Sequence, residues 1–136
     1  MTALIIEDEP LVLAVFQRVL QKASWTALAS ETAEAALRYC QDRYLLLDLI
    51  IVDRQLPDES GSSVALKIKA IRPDVHFLFT SGTRIEWWAI TDLRNVEALP
   101  KDSYNFLQKP FTAQKLMDSV EGLLNRKSVL AMAAAG

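Results

Sequence analysis

Short apolar runs alternate along the chain with stretches of helical period. Ala3–Ile6 is a continuous apolar run that ends in Glu7-Asp8-Glu9, followed by Pro10, a residue suited to the first turn of a helix. Leu11, Val12, Val15, Phe16, Val19 and Leu20 then repeat at helical spacing, with Gln17, Arg18, Gln21 and Lys22 on the opposite face. Trp25–Ala29 reads as a second strand. Ser30 or Thr32 can cap a helix that carries Ala33, Ala36, Leu37 and Cys40 on one stripe. Leu49-Ile50-Ile51-Val52 is the most strand-like run, and it stops at Asp53. A loop from Leu56 to Gly61 leads to a third stripe of Val64, Ala65, Ile68 and Ile71, ended by Arg72-Pro73.

The second half repeats this scheme with one weak stretch. Val75–Thr80 reads as a strand closing at Ser81-Gly82. Residues 83–104 predict only a helix around Trp87–Leu93 and a loop with Pro100. Asn105–Gln108 is a short strand before Lys109-Pro110, and Thr112 can cap a last helix with Leu116, Val120, Leu123 and Leu124 on its stripe. Five apolar runs without polar alternation, each followed by a helix, predict an α/β fold. The expected form is a doubly wound parallel sheet of five strands with helices on both faces. Ligands of such sheets bind beyond the carboxyl ends of the strands. Here those ends carry Glu7-Asp8, Asp53, Ser81 and Lys109.

Composition narrows the function without changing the fold. The 136 residues suit one domain, and 51% hydrophobic against 24% charged residues excludes a disordered chain. A net charge of −2 leaves no broad basic field, so no nucleic-acid binding and no attraction to an anionic membrane are expected. One cysteine and one histidine exclude an internal disulfide, a Cys-based zinc site and a His-cluster metal site. The longest apolar run, Val129–Ala135, is far short of the roughly 20 residues of a membrane span. The opening Met-Thr-Ala-Leu-Ile-Ile-Glu-Asp has no basic start, and a cytoplasmic location is expected.

Three carboxylates, a hydroxyl and an ammonium at one sheet edge suggest a specific chemistry. Carboxylates packed that closely repel unless a cation sits among them. Magnesium suits such a site because it takes one or two carboxylates and keeps waters for a phosphate. Lys109 can add positive charge, Ser81 can donate to a phosphoryl oxygen, and Asp53 is the natural nucleophile for an acyl phosphate.

These residues stand in a pattern that resembles the receiver domain of bacterial two-component response regulators. The pieces are Leu4-Ile5-Ile6-Glu7-Asp8-Glu9-Pro10, then Asp53-Arg54-Gln55-Leu56-Pro57 with Gly61 after it. Thr80-Ser81-Gly82 and Phe106-Leu107-Gln108-Lys109-Pro110-Phe111 follow. Each piece alone is weak; four in order, each at a predicted strand end, are specific. The resemblance covers residues 2–126. It implies a receiver unit over residues 1–127, and a tail over 128–136 that either extends the last helix or frays. It also implies the flavodoxin-like strand order 2-1-3-4-5.

Carried over residue by residue, the resemblance implies that Asp53 accepts a phosphoryl group from a phosphohistidine on a sensor histidine kinase or phosphotransfer protein. Asp8 would ligate Mg2+ directly and Glu7 through water, with Asp53 and the Gln55 backbone carbonyl as further ligands. Lys109 would contact the phosphoryl oxygens, with a cis bond to Pro110. Ser81 would move toward the phosphoryl group and Phe106 would turn inward, changing the face of the fourth helix, fifth strand and fifth helix. Gln55 and Thr83, both neutral and able to orient water, would tune hydrolysis, implying spontaneous dephosphorylation. The downstream protein target is left open, and a homodimer is among the assemblies the resemblance allows.

The sequence departs from that pattern in places. Ser81-Gly82 replaces Thr-Ala, Phe106 replaces Tyr, and Glu7 replaces Asp. The stretch from Ser81 to Lys109 is longer than usual. No output domain follows, so a stand-alone or excised receiver is expected. A magnesium-dependent phosphohydrolase of the haloacid dehalogenase type is a rival from another class, but it needs an acid two positions after its nucleophile. Gln55 stands there and cannot titrate. A phosphorylation-independent scaffold of the same fold is the other alternative.

Some residues read as structural. Cys40 belongs to a core stripe, and His76 is a satisfied strand residue. Trp87 and Trp88 are adjacent on a predicted helix, so both cannot face one core. Thr80 and Ser81 point to opposite sides of their strand, so only one can serve the site. Ser81 is the choice, because it lies at the strand's end; Thr80→Val is expected to lower stability.

Overall fold

The five strand-like runs become strands, and the three central ones are buried on both faces, which explains why those runs lack polar alternation. The structure is a computed structural model that describes residues 1–135, with side chains through residue 125. The expectation for the tail, residues 128–136, falls outside the described side chains. The strands are β1 (Thr2–Ile6), β2 (Thr26–Ser30), β3 (Leu49–Asp53), β4 (His76–Ser81) and β5 (Tyr104–Gln108). They form one parallel sheet in the order β2-β1-β3-β4-β5, a flavodoxin-like topology. The helices are α1 (Pro10–Lys22), α2 (Ala33–Gln41), α3 (Gly61–Ile71), α4 (Ile90–Glu97) and α5 (Ala113–Ala135).

Alternation along the strands divides the core in two. Leu4, Ile6, Ile50, Val52, Phe77 and Phe79 face α2, α3 and α4. Ala3, Ile5, Leu49, Ile51, Leu78 and Leu107 face α1 and α5. The helices present small or branched residues to the sheet: Ala33, Ala36 and Cys40 from α2, and Val64, Ala65 and Ile68 from α3. Among the described residues, no helix is long and apolar enough to cross a membrane.

Local chemistry sets the helix ends. Pro10 opens α1, and Thr32 caps α2 by accepting the Ala35 N–H at 3.1 Å. Asp58, from the loop after β3, accepts the Ala33 and Glu34 N–H groups at 3.0 Å each, so it closes the same end from across the fold. Ser60 caps α3 through the Ser63 N–H. Ser30 belongs to β2 instead, where its hydroxyl donates to the Ile5 carbonyl.

β1 and β5 each begin one residue earlier than the sequence predicts, and three further elements shift. β2 begins at Thr26, because the Trp25 N–H still closes the end of α1 on the Leu20 carbonyl. β4 extends through Ser81, which pairs with Gln108. The helix expected around Trp87–Leu93 is instead a 3-10 turn (Ile85–Trp87) followed by α4, which starts only at Ile90. Trp88 lies between the two, buried at 6% exposure, whereas Trp87 is 77% exposed. The expected division between the two tryptophans therefore holds, but in a turn and not on a helix. Cys40 and His76 are both buried as read.

Candidate functional site

The ends of β1, β3, β4 and β5 meet at one edge of the sheet. Asp53 is the last residue of β3, and the chain there is fixed from two sides. The Arg54 N–H donates to the Thr80 carbonyl at 2.8 Å, and the Gly61 N–H donates to the Arg54 carbonyl at 2.7 Å. Gly61 is required by contact: a Cβ on it would lie 2.0 Å from the Asp53 carbonyl oxygen. The Gly61 named from sequence thus holds the phosphoacceptor candidate's backbone in place.

Glu7, Asp8 and Asp53 offer carboxylate oxygens that all lie within 4.8 Å of one another. Glu7 is buried, and both of its oxygens are engaged. Oε1 accepts the Lys109 ammonium at 2.5 Å, and Oε2 accepts the Glu9 N–H at 3.3 Å. The Lys109 Nζ also lies 3.5 Å from the Asp53 Oδ1. Burial works against the Lys109 charge, but the Glu7 hydrogen bond and the Asp53 and Glu7 charges outweigh it, and the pKa stands above that of an ordinary lysine. Asp53 moves the other way for a carboxylate. Burial, then the Glu7 charge, pushes it up to about 6, against the pull of Lys109.

A cleft of about 480 Å³ opens over these groups, and Asp8, Asp53, Gln55, Ser81, Thr83 and Lys109 are among its walls. All the residues predicted for the site line it or border it, except Phe106. The Lys109–Pro110 bond is cis, as expected. Of the two adjacent hydroxyl residues at the end of β4, Ser81 is the one that lines the cleft. Its hydroxyl reaches the cleft and accepts the Thr83 N–H at 2.9 Å. Thr80 is fully buried, and its hydroxyl has no hydrogen-bond partner.

Phe106 lies one layer behind. It stacks on Phe79 at 5.9 Å and meets Trp88 edge to face at 5.3 Å. Between Ser81 and Phe106 is a cavity of about 250 Å³, walled also by Thr83 and Trp88.

A buried polar cluster adjoins the site and has no counterpart in the sequence reading. The Arg54 guanidinium lies 3.5 Å from Asp92 of α4 and over the Trp88 ring, 5.8 Å from its centroid. Asp92 accepts the Ser62 hydroxyl at 2.7 Å, and Asn95 donates to Ser62 at 3.1 Å. Strand alternation was the available signal. Arg54 falls on the face of Val52, toward α3 and α4, where a charge needs a partner.

Comparison with known proteins agrees with this geometry. Residues 3–121 match the family model described as the response regulator receiver domain, and the chain belongs to that family. It is 30% identical over 131 residues to the virulence transcriptional regulatory protein PhoP of Salmonella typhimurium, covering 96% of this chain and 55% of that protein. It is 28% identical over 126 residues to the sensor kinase CckA of Brucella abortus, covering 93% of this chain and 13% of the kinase. The chain thus spans only a part of these relatives. A receiver domain from Clostridium thermocellum superposes with a TM-score of 0.75 at 27% identity, covering 95% of this chain and 98% of that one. The protein is therefore a signalling receiver domain of the two-component type.

Proposed function

We propose that this receiver accepts a phosphoryl group on Asp53 from the phosphohistidine of a sensor histidine kinase or phosphotransfer protein, in a bacterial cytoplasm. The observation that carries this reading is the meeting of Asp53 with Asp8, Glu7 and Lys109 in one cleft whose rim is Ser81. An Asp53 carboxylate oxygen attacks phosphorus as the bond to the donor imidazole nitrogen breaks, and the imidazole leaves. Lys109 offsets the charge of the transferred group, and the Ser81 hydroxyl donates to one of its oxygens.

The carboxylate set fits Mg2+, a hard cation that prefers oxygen ligands. Asp8, Asp53 and the Gln55 carbonyl would hold it, with Glu7 acting through water. The ion would supply neutralisation of charge on the transferred group. Gln55 and Thr83 stand at the mouth of the cleft and orient the water that later hydrolyses the acyl phosphate. Ser81 and Phe106 are the switch pair, and the changed surface around α4 and β5 is read by a protein target.

Intact mass after incubation with acetyl phosphate tests the reading. The expected result is one phosphoryl group per chain with Mg2+, and none with excess EDTA or in Asp53→Asn. Phosphorylation that persists in Asp53→Asn would remove the assignment.

A further inference from the structure

Trp88 touches Phe106 and the loop that follows Ser81. Its indole N–H donates to the Thr83 carbonyl at 3.1 Å, which ties it to the loop that follows Ser81. Its ring meets Phe106 at 5.3 Å and Phe79 at 6.2 Å, edge to face in both cases. One face carries the Arg54 guanidinium, whose backbone directly follows Asp53. Trp88 is 6% exposed and helps wall the cavity between Ser81 and Phe106. Sequence patterning assigns it no role, and the 3-10 turn before it is what turns it inward.

These contacts belong to one arrangement of the loop. The Ser81 hydroxyl accepts the Thr83 N–H, and Thr83 in turn accepts the indole N–H. Drawing Ser81 Oγ toward a phosphoryl group on Asp53 takes it from the Thr83 N–H and moves the Thr83 carbonyl. The indole then loses its acceptor, and the wall that fixes one edge of Phe106 is released. A buried indole N–H without a partner is unfavourable, so Trp88 cannot keep its place when the loop moves.

We propose that Trp88 is a latch: a positioning residue that holds the resting arrangement of the Ser81–Thr83 loop and of Phe106, and that moves when Asp53 carries a phosphoryl group. The proposal rests on the reading of Asp53, Ser81 and Phe106 given above, and goes beyond it by assigning the coupling to this side chain. A latch favours the resting state, so weakening it must favour the switched state. By linkage, whatever binds the switched state better then binds more tightly. A residue that only supports the fold has no such effect.

The test uses the full chain labelled with 5-fluorotryptophan, with beryllofluoride and Mg2+ standing in for the phosphoryl group. Fluorine NMR reports bound beryllofluoride and the tryptophans in the same sample, and the resonance missing in Trp88→Phe identifies Trp88. At saturation the Trp88 resonance should move in the wild type and stay in Ser81→Ala. Trp88→Phe keeps a ring but loses the N–H, and its half-saturating beryllofluoride concentration should fall about five-fold, the equivalent of one hydrogen bond of ~1 kcal/mol. Bound beryllofluoride with an unmoved Trp88 overturns the latch and leaves the phosphoacceptor reading standing. Equal or weaker binding by a folded Trp88→Phe, or a moving Trp88 in Ser81→Ala, also overturns it. Absence of any bound beryllofluoride signal overturns the reading of the site, and the latch with it.

Discussion

Asp53 is held among charges of its own sign, and its proton affinity is therefore coupled to folding. Burial, then Glu7, raises its pKa from 3.8 to about 6. The folded protein binds this proton more tightly than the unfolded chain, so ionised Asp53 opposes folding. That opposition is full above about pH 6, fades as pH falls through the window, and is gone below 3.8. At 1.36 kcal/mol per unit the effect is at most about 3 kcal/mol. In EDTA, Asp53→Asn should therefore be more stable than the wild type at neutral pH by up to ~3 kcal/mol, and should lose that advantage near pH 4. Urea unfolding at the two pH values measures it. An advantage of equal size at both would mean that the carboxylate's ionisation is not its source. The carboxylate crowding that makes ionised Asp53 oppose folding also gives the site its attraction for a divalent cation, so stability and function pull against each other here.

At the scale of the element, the end of β4 shows how one strand serves two ends. Thr80 and Ser81 alternate, and only Ser81 reaches the cleft. The Thr80 hydroxyl is buried without a partner, so the stability loss expected from sequence for Thr80→Val reverses sign. Removing an unsatisfied buried hydroxyl at constant shape should stabilise the protein by about 1 kcal/mol and leave the response to beryllofluoride intact. Ser81→Ala should still bind beryllofluoride but lose much of the response, followed through Phe106 shifts by NMR. A reversed pair of outcomes would put the switch at Thr80. The strands were legible because a parallel sheet buried on both faces writes itself as apolar runs, and the site followed from what ends those runs. The stretch from Thr83 to Ala89 was not. Its form depends on contacts distant in sequence, Trp88 with Phe106 and Arg54, which no local period encodes. Arg54 and Asp92 were missed for a related reason, since each looks like an ordinary surface charge until α4 is packed on α3.

The whole molecule is a sheet with two unlike sides, and the site straddles them. Glu7, Asp53 and Lys109 continue the alternation of the strand residues facing α1 and α5, while Ser81 and Phe106 continue that of Phe77 and Phe79 on the opposite side. A charge placed on Asp53 is therefore felt at the edge, but the groups proposed to move belong to the side of α2, α3 and α4. There the packing is adaptable: an open cavity of about 250 Å³, a short α4 and a 3-10 turn lie against β4 and β5. On the α1–α5 side, Phe16, Leu20, Leu116, Val120 and Leu123 are essentially fully buried against the sheet, and close packing resists displacement. Hydrogen exchange with and without beryllofluoride should therefore change in Thr83–Glu97 and in β5, while α1 and the first turns of α5 keep their protection. Changes of equal size in α1 would show that the two sides move together, and that the sheet transmits the event as a whole. Confinement to one side would mean that a partner distinguishing the two states must read α4 and its turn, where Trp87 and Ile90 are exposed at 77% and 65%. A partner docked on α1 would then bind both states alike.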